Sequence, residues 1–268
     1  MTTLTHTGLG AAPAPSPLPT NRAGAAYAVE IRLELVRLLR TPAFALPMFL
    51  LPVALYLLFA FAVMGEMATK DPDAARFMFA GFSLMAVSMS AVFATCPSLA
   101  MEREQGLLTL KRAQPAPPGA WLVAKIVAGV ACGTLAYLPI LIATAVSGQA
   151  MLSAGQLAAM SAVLVAGTIP FCALGLMVGS LASGSAAPAY VNLAYLPGMY
   201  LSGVFFPLPK SLYFQAPFWP QFHLNQLVFA AGGVDKFRWI APEMAIAVLL
   251  GFTVLCSGIA LWRLSRKG

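Results

Sequence analysis

The chain has 268 residues, 60% of them hydrophobic and only 9% charged, with a mean hydropathy of +0.82. Soluble domains carry roughly 25% charged residues; a chain this poor in charge cannot cover a water-facing surface, so lipid is part of its solvent. The net charge of +7 is scattered in short clusters between long apolar runs and forms no basic stripe, which argues against nucleic acid as a partner.

Residues 1–25 contain Ala-Pro-Ala-Pro-Ser-Pro-Leu-Pro and no apolar core, which predicts a disordered cytoplasmic tail and neither a signal peptide nor a helix. Residues 26–268 read as one transmembrane domain. From Tyr27 to Arg40, the residues Tyr27, Ile31, Leu35 and Leu38 recur at helical spacing while Glu30, Glu34 and Arg37 share another face. This predicts an interfacial helix along the cytoplasmic leaflet, ending where Pro42 opens the first span.

Six stretches reach the roughly 20 apolar residues that a span requires: about 43–64, 77–99, 121–146, 155–181, 186–206 and 240–262. The expected fold class is therefore an all-α integral membrane protein with six transmembrane helices. Charges within them lie near the boundaries, where Lys125 and Glu243 can snorkel to the headgroups. Gly129-x-x-x-Gly133 and Gly175-x-x-x-Gly179 permit close helix approach, within one chain or at a dimer seam. Pro47, Pro52, Pro139 and Pro170 should kink or end helices. After the fifth stretch, residues 207–239 contain Pro207, Pro209, Pro217 and Pro220, and their apolar pieces are too short to cross. A structured external cap with short helices is expected, with Trp219 and Trp239 at headgroup depth and His223, Asn225 and Gln226 as polar contacts or an exit gate.

Sidedness follows from the 16 Lys and Arg residues. Arg22, Arg32, Arg37, Arg40, Arg103, Lys111, Arg112, Lys125, Arg263, Arg266 and Lys267 gather on one side; Lys70, Arg76, Lys210, Lys236 and Arg238 fall on the other. The richer side is cytoplasmic, so both termini are expected there, which requires an even number of spans.

Catalytic chemistry has little to build on. The four cysteines, Cys96, Cys132, Cys172 and Cys256, sit in apolar stretches, and the two histidines, His6 and His223, have no metal-ligand spacing. The dipeptide Gly-Lys does not occur, so a phosphate-binding loop of the form GxxxxGK[ST] is excluded and any ATP must be bound by another polypeptide. The deep polar groups are neutral: Ser83, Ser88, Ser90, Thr134, Ser161, Thr168, Asn192 and Thr253. Proton- or cation-coupled carriers generally place ionisable groups at that depth. A stand-alone secondary transporter or channel remains the alternative, and ion-dependent flux by the purified chain alone would favour it.

The run Glu102-Arg103-Glu104-Gln105-Gly106-Leu107-Leu108 follows the second span and is closed by Pro115, Pro117 and Pro118, which predicts a short amphipathic helix under the membrane. With Trp121 and Lys125 opening the third span, it resembles the E-R-E-x-G-T-L signature of ABC-2-type exporter permeases, with Leu107 where Thr is usual. The resemblance extends over nearly the whole chain. It implies a coupling helix seated in a cleft of a separate P-loop nucleotide-binding subunit, with Glu102, Arg103, Glu104, Gly106, Leu107 and Leu108 as coupling residues. It further implies that ATP and magnesium are held by that partner and no cofactor by this chain, and that a second permease copy, expected as a homodimer, completes the assembly in a bacterial cytoplasmic membrane. Members line their substrate path with the second and fifth spans, which here makes Ser83, Met85, Ser88 and Met89, and Asn192, Tyr195 and Met199, the candidate path residues. Asn192 needs a hydrogen-bond partner at depth, on a neighbouring helix or on cargo. A Met-rich, uncharged path suits apolar or amphipathic cargo such as a drug-like compound or lipid, as in multidrug efflux.

Overall fold

The computed structural model describes residues 20–63, 65, 70–113, 117 and 119–267, and among these every regular element is helical. The expected tail up to residue 19, together with Met64, Pro115 and Pro118, lies outside the described residues. Helix α1 (Thr20–Leu39) begins well before Tyr27. Pro42 at its first turn starts α2 (Pro42–Leu57), which runs on as a π turn over Leu58–Val63.

Helix α3 (Pro72–Glu104) is the axis of the molecule. Asp71 caps it, accepting a hydrogen bond from the Asp73 amide at 3.0 Å. The short α4 (Leu107–Ala113) follows a left-handed Gly106, and α5 (Ala120–Ser147) is bracketed by left-handed Gly119 and Gly148. Helix α6 (Ala154–Ala166) opens with a Ser153/Gln156 capping box. It breaks at Gly167, three residues before Pro170, into α7 (Thr168–Leu181). Helices α8 (Ala187–Leu201), α9 (Pro220–Gly232) and α10 (Pro242–Lys267) complete the chain.

Among the described residues, five stretches are long and apolar enough to cross a membrane: Ala45–Val63, Pro72–Glu104, Ala120–Ser147, Ala154–Leu181 and Pro242–Arg266. The expected fifth span, 186–206, is not among them. Helix α8 has only 15 residues, which reach about 22 Å at 1.5 Å per residue against a hydrocarbon layer of about 30 Å. Hydropathy alone counted Ser202–Phe206 as helix, but Gly203 is left-handed and Pro207 and Pro209 follow, so the chain turns away.

Helix α3 is buried on nearly all sides, packed between α7 and α5 with α2 and α8 alongside. The glycine pairs make this possible. A side chain at Gly133 would meet the Val87 carbonyl, at Gly175 the hydroxyl of Thr95 and the Val92 backbone, and at Gly179 the Cys96 carbonyl. Both GxxxG pairs therefore press α5 and α7 onto α3 within one chain. Hydroxyls in the apolar stretches bond to carbonyls one turn back, as with Thr134 to Val130, Thr144 to Ile140 and Thr253 to Leu249. The cap is protein-packed: α9 lies against α6, α10 and α3, with Gln221, His223, Asn225 and Gln226 all buried. This satisfies the requirement that irregular backbone near a bilayer be covered by protein.

Candidate functional site

Six charged side chains from four helices meet at one end of the bundle. Glu102, at the last turn of α3, is 1% exposed and lies 2.5 Å from Arg37 Nη1 of α1, 3.1 Å from Lys125 Nζ of α5 and 3.4 Å from Lys111 Nζ of α4. Glu34 of α1 takes the same ammonium at 2.8 Å and accepts a short hydrogen bond from Ser98, while Glu30 stands 3.5 Å from Lys111. Three carboxylates thus face three cations, which neutralises the cluster and makes its burial tolerable.

This corrects two expectations. Lys125 does not snorkel; it is 1% exposed and held by Glu34, Glu102 and the Ser98 hydroxyl. Helix α1 does cover its expected apolar face, with Tyr27, Ile31 and Leu35 half-buried and Leu38 buried, but its charges turn inward as well. Its charged stripe of Glu30, Glu34 and Arg37 turns inward beside Leu38, while Val29, Leu33, Val36 and Leu39 are exposed. Charges on a helix read as its water face only when their partners are unknown, and here those partners are Lys111 and Lys125, some 80 to 90 residues away.

Burial alone would raise the Glu34 carboxyl, but Lys125, the Ser98 hydrogen bond and Arg37 outweigh it and hold the group below its ordinary value of 4.5. A depressed folded-state value means that its contribution is complete above the ordinary carboxylate range and is lost as pH falls through the folded value. Acidification should therefore release α1 from α5 before the spans open. Hydrogen exchange over residues 30–40 measured at decreasing pH checks this; uniform opening of all helices would contradict it.

The predicted coupling residues divide between inside and outside. Arg103 donates to the Ala182 carbonyl at 2.6 Å, and Glu104 accepts from the Gly184 amide at 2.7 Å, so the end of α3 is tied to the turn after α7. Gly106 is exposed with φ +71°, and a side chain there would meet nothing within 4 Å. It serves the turn into α4, its amide donating to the Arg103 carbonyl and its carbonyl accepting from the Thr109 amide. Leu107 is half-buried, whereas Leu108 is buried with Leu99, Leu176, Ala260 and Leu264. Glu102 is the buried charge of the group. Gln105, Thr109 and Leu110 are the exposed face of this segment.

Of the candidate path residues, Ser83, Met85, Ser88, Met89, Tyr195 and Met199 are all buried. Ser88 donates to the Leu84 carbonyl at 2.6 Å, and its hydroxyl is hydrogen-bonded to that of Tyr195 at 2.8 Å. Ser83 has no hydrogen-bond partner among the described residues. Asn192 stands apart from them: it is exposed and bonds to the Pro188 carbonyl of its own helix, on an α8 face that also shows Tyr190, Leu193, Leu196 and Tyr200.

A long buried axial helix, a short helix at its end and a charge-neutral lock binding both to the N-terminal helix form the architecture to be identified. A model described as ABC-2 type transporter matches residues 27–235. The chain belongs to the ABC-2 type transporter family.

A relative from Bacillus subtilis (strain 168), named "Putative transport permease YvfS", is 22% identical over 226 residues, which cover 83% of this chain and 90% of the relative. Members of the ABC-2 family are transmembrane permease subunits, generally non-catalytic, and membership implies an ABC transporter with a partner nucleotide-binding subunit. The matched region begins at Tyr27 and so takes in the whole charged stripe of α1. The sequence did carry a signal for the lock that hydropathy overlooked. Lys125 lies five residues inside an apolar helix, and Glu30, Glu34 and Arg37 follow at intervals of four and three, so donors and acceptors of one ionic cluster occur in segments assigned to the same membrane face.

Proposed function

We propose that this ABC-2 permease is the transmembrane subunit of an ATP-driven exporter, with ATP and magnesium bound by a separate P-loop subunit that docks at the ion-cluster end. The observation that carries this reading is the linkage of one short exposed segment to the bundle. Through Glu102, Arg103 and Glu104, the end of α3 touches α1, α4, α5 and the turn after α7. A push on α4 therefore reaches most of the helices together, as a rigid-body switch between inward- and outward-facing arrangements requires.

In this reading the chain passes the membrane six times, with the short α8 as the fifth pass. Asp71 pairs with Lys236 at 2.9 Å, and Arg76 donates to the Ala150 carbonyl at 2.9 Å, so the start of α3, the α5–α6 turn and the cap share the far end. Both termini and the eleven-cation side then lie in the cytoplasm. A second copy pairs along the exposed α8 face, where Asn192 among apolar side chains meets an apolar or amphipathic cargo.

All four native cysteines are buried, which makes a cysteine cross-linking test selective. Thr109→Cys in the co-expressed complex is expected to cross-link to the ATPase subunit, whereas Lys210→Cys, at the opposite end, is expected not to. Cross-linking from Lys210→Cys alone would refute the docking site, and active transport by the isolated chain would favour a stand-alone carrier.

A further inference from the structure

The exposed positions of α1 recur at intervals of three and four, with Val29, Arg32, Leu33, Val36, Leu39 and Arg40 forming one stripe along the helix. No acid lies on it. Glu30 and Glu34 turn inward to Lys111 and Lys125, and Arg37 is engaged by Glu102. Among the described residues no carboxylate pairs with Arg32 or Arg40. The stripe therefore carries two unneutralised guanidinium groups set among aliphatic side chains.

The chain that follows fixes where this stripe lies. Only Arg40 and Thr41 separate α1 from α2, and their amides still bond back to the Val36 and Leu38 carbonyls. Helix α2 opens the first membrane-crossing stretch and leaves Leu46 and Leu50 exposed to lipid. With no loop in between, the stripe ends where the bilayer begins. The other apolar face of α1 is already occupied, since Leu38 packs with Ala94, Ala128 and Cys132. The surface left for lipid is the arginine-bearing one.

We propose that the exposed stripe of α1 binds anionic phospholipid in the leaflet at the ion-cluster end. Val29, Leu33, Val36 and Leu39 enter the upper acyl-chain region, while Arg32 and Arg40 lay their apolar stems along that surface and donate to headgroup phosphates. An anionic headgroup is selected over a zwitterionic one because the stripe attracts the phosphate and offers no acid to a choline ammonium. Arg32 and Arg40 stand about 12 Å apart along the helix, so each holds a headgroup of its own. Lipid bound there keeps α1, and with it Glu30, Glu34 and Arg37 of the ion cluster, against the bundle.

The native cysteines are buried, so a bimane fluorophore on Leu33→Cys reports this stripe. The full-length protein is placed in nanodiscs of equal parts phosphatidylglycerol and phosphatidylcholine, with a nitroxide high on an acyl chain of one lipid or the other. Quenching by phosphatidylglycerol is expected to exceed that by phosphatidylcholine about fivefold, the preference that one surface arginine confers. Adding Arg32→Gln and Arg40→Gln should abolish the preference. A label at Val254→Cys, exposed on α10, should show none. The ratio with both arginines present is decisive by itself, so the test survives a variant that fails to fold. Equal quenching by the two lipids at Leu33 would overturn the proposal. So would no quenching there while Val254 is quenched, which would leave the stripe to a protein partner or to water.

Discussion

Glu102→Ala is expected to lower the unfolding free energy by about 3–5 kcal/mol, the usual result of removing one partner from a buried ionic cluster. The substitution takes away the one carboxylate that touches Arg37, Lys111 and Lys125 together. Glu34 remains for Lys125, but Arg37 loses its one ion-pair partner among the described residues. Lys125→Met should be similarly damaging, since it leaves Glu34 and Glu102 facing each other. The double variant should cost less than the sum, because both single losses include the same Glu102–Lys125 pair. Thermal unfolding of the three variants in detergent measures the coupling directly. Additive losses would mean that the side chains do not form a single lock.

Gly175→Leu is expected to cost about 3 kcal/mol or more, at the upper end of overpacking effects. The added side chain would point at the Thr95 hydroxyl and the Val92 backbone, and a helix backbone cannot yield as a side chain can. The consequence is separation of α7 from α3, the seam on which the remaining helices are assembled. Gly258→Leu is the matched control: it lies in α10 with nothing within 4 Å of the position, so it loses a helix-weakening glycine and should be neutral or mildly stabilising. Comparable melting temperatures for the two variants would contradict this account of the axial helix.

Long apolar runs were legible because each is a local property of the chain. The start of α2 follows from Pro42 and the break between the sixth and seventh helices falls beside Pro170, whereas α3 begins at Pro72, five residues before the expected start. The segment from Glu102 to Leu108 was found by its own residue pattern. What could not be read were properties of pairs. The same three charges of α1 describe a wetted stripe or half of a buried lock, and only the positions of Lys111 and Lys125 in space decide between them. Asn192 illustrates the converse, since a polar residue amid an apolar run needs a partner but does not identify it, and Pro188 of its own helix supplies one. The length of α8 was missed for a third reason: hydropathy sums through a glycine turn at Gly203 that backbone geometry does not cross.

Coupling through the end of α3 is the claim on which the rest depends. Its most direct test is cargo-stimulated ATP hydrolysis by the assembled permease–ATPase complex, compared between the native chain and Glu104→Ala. That substitution removes the 2.7 Å hydrogen bond from the Gly184 amide and the carboxylate charge beside Arg103, while the ion pairs of Glu102 stay in place. The account predicts that basal hydrolysis persists while stimulation by cargo falls about tenfold, the loss of one charge-assisted hydrogen bond in the link. Stimulation equal to that of the native complex would contradict it.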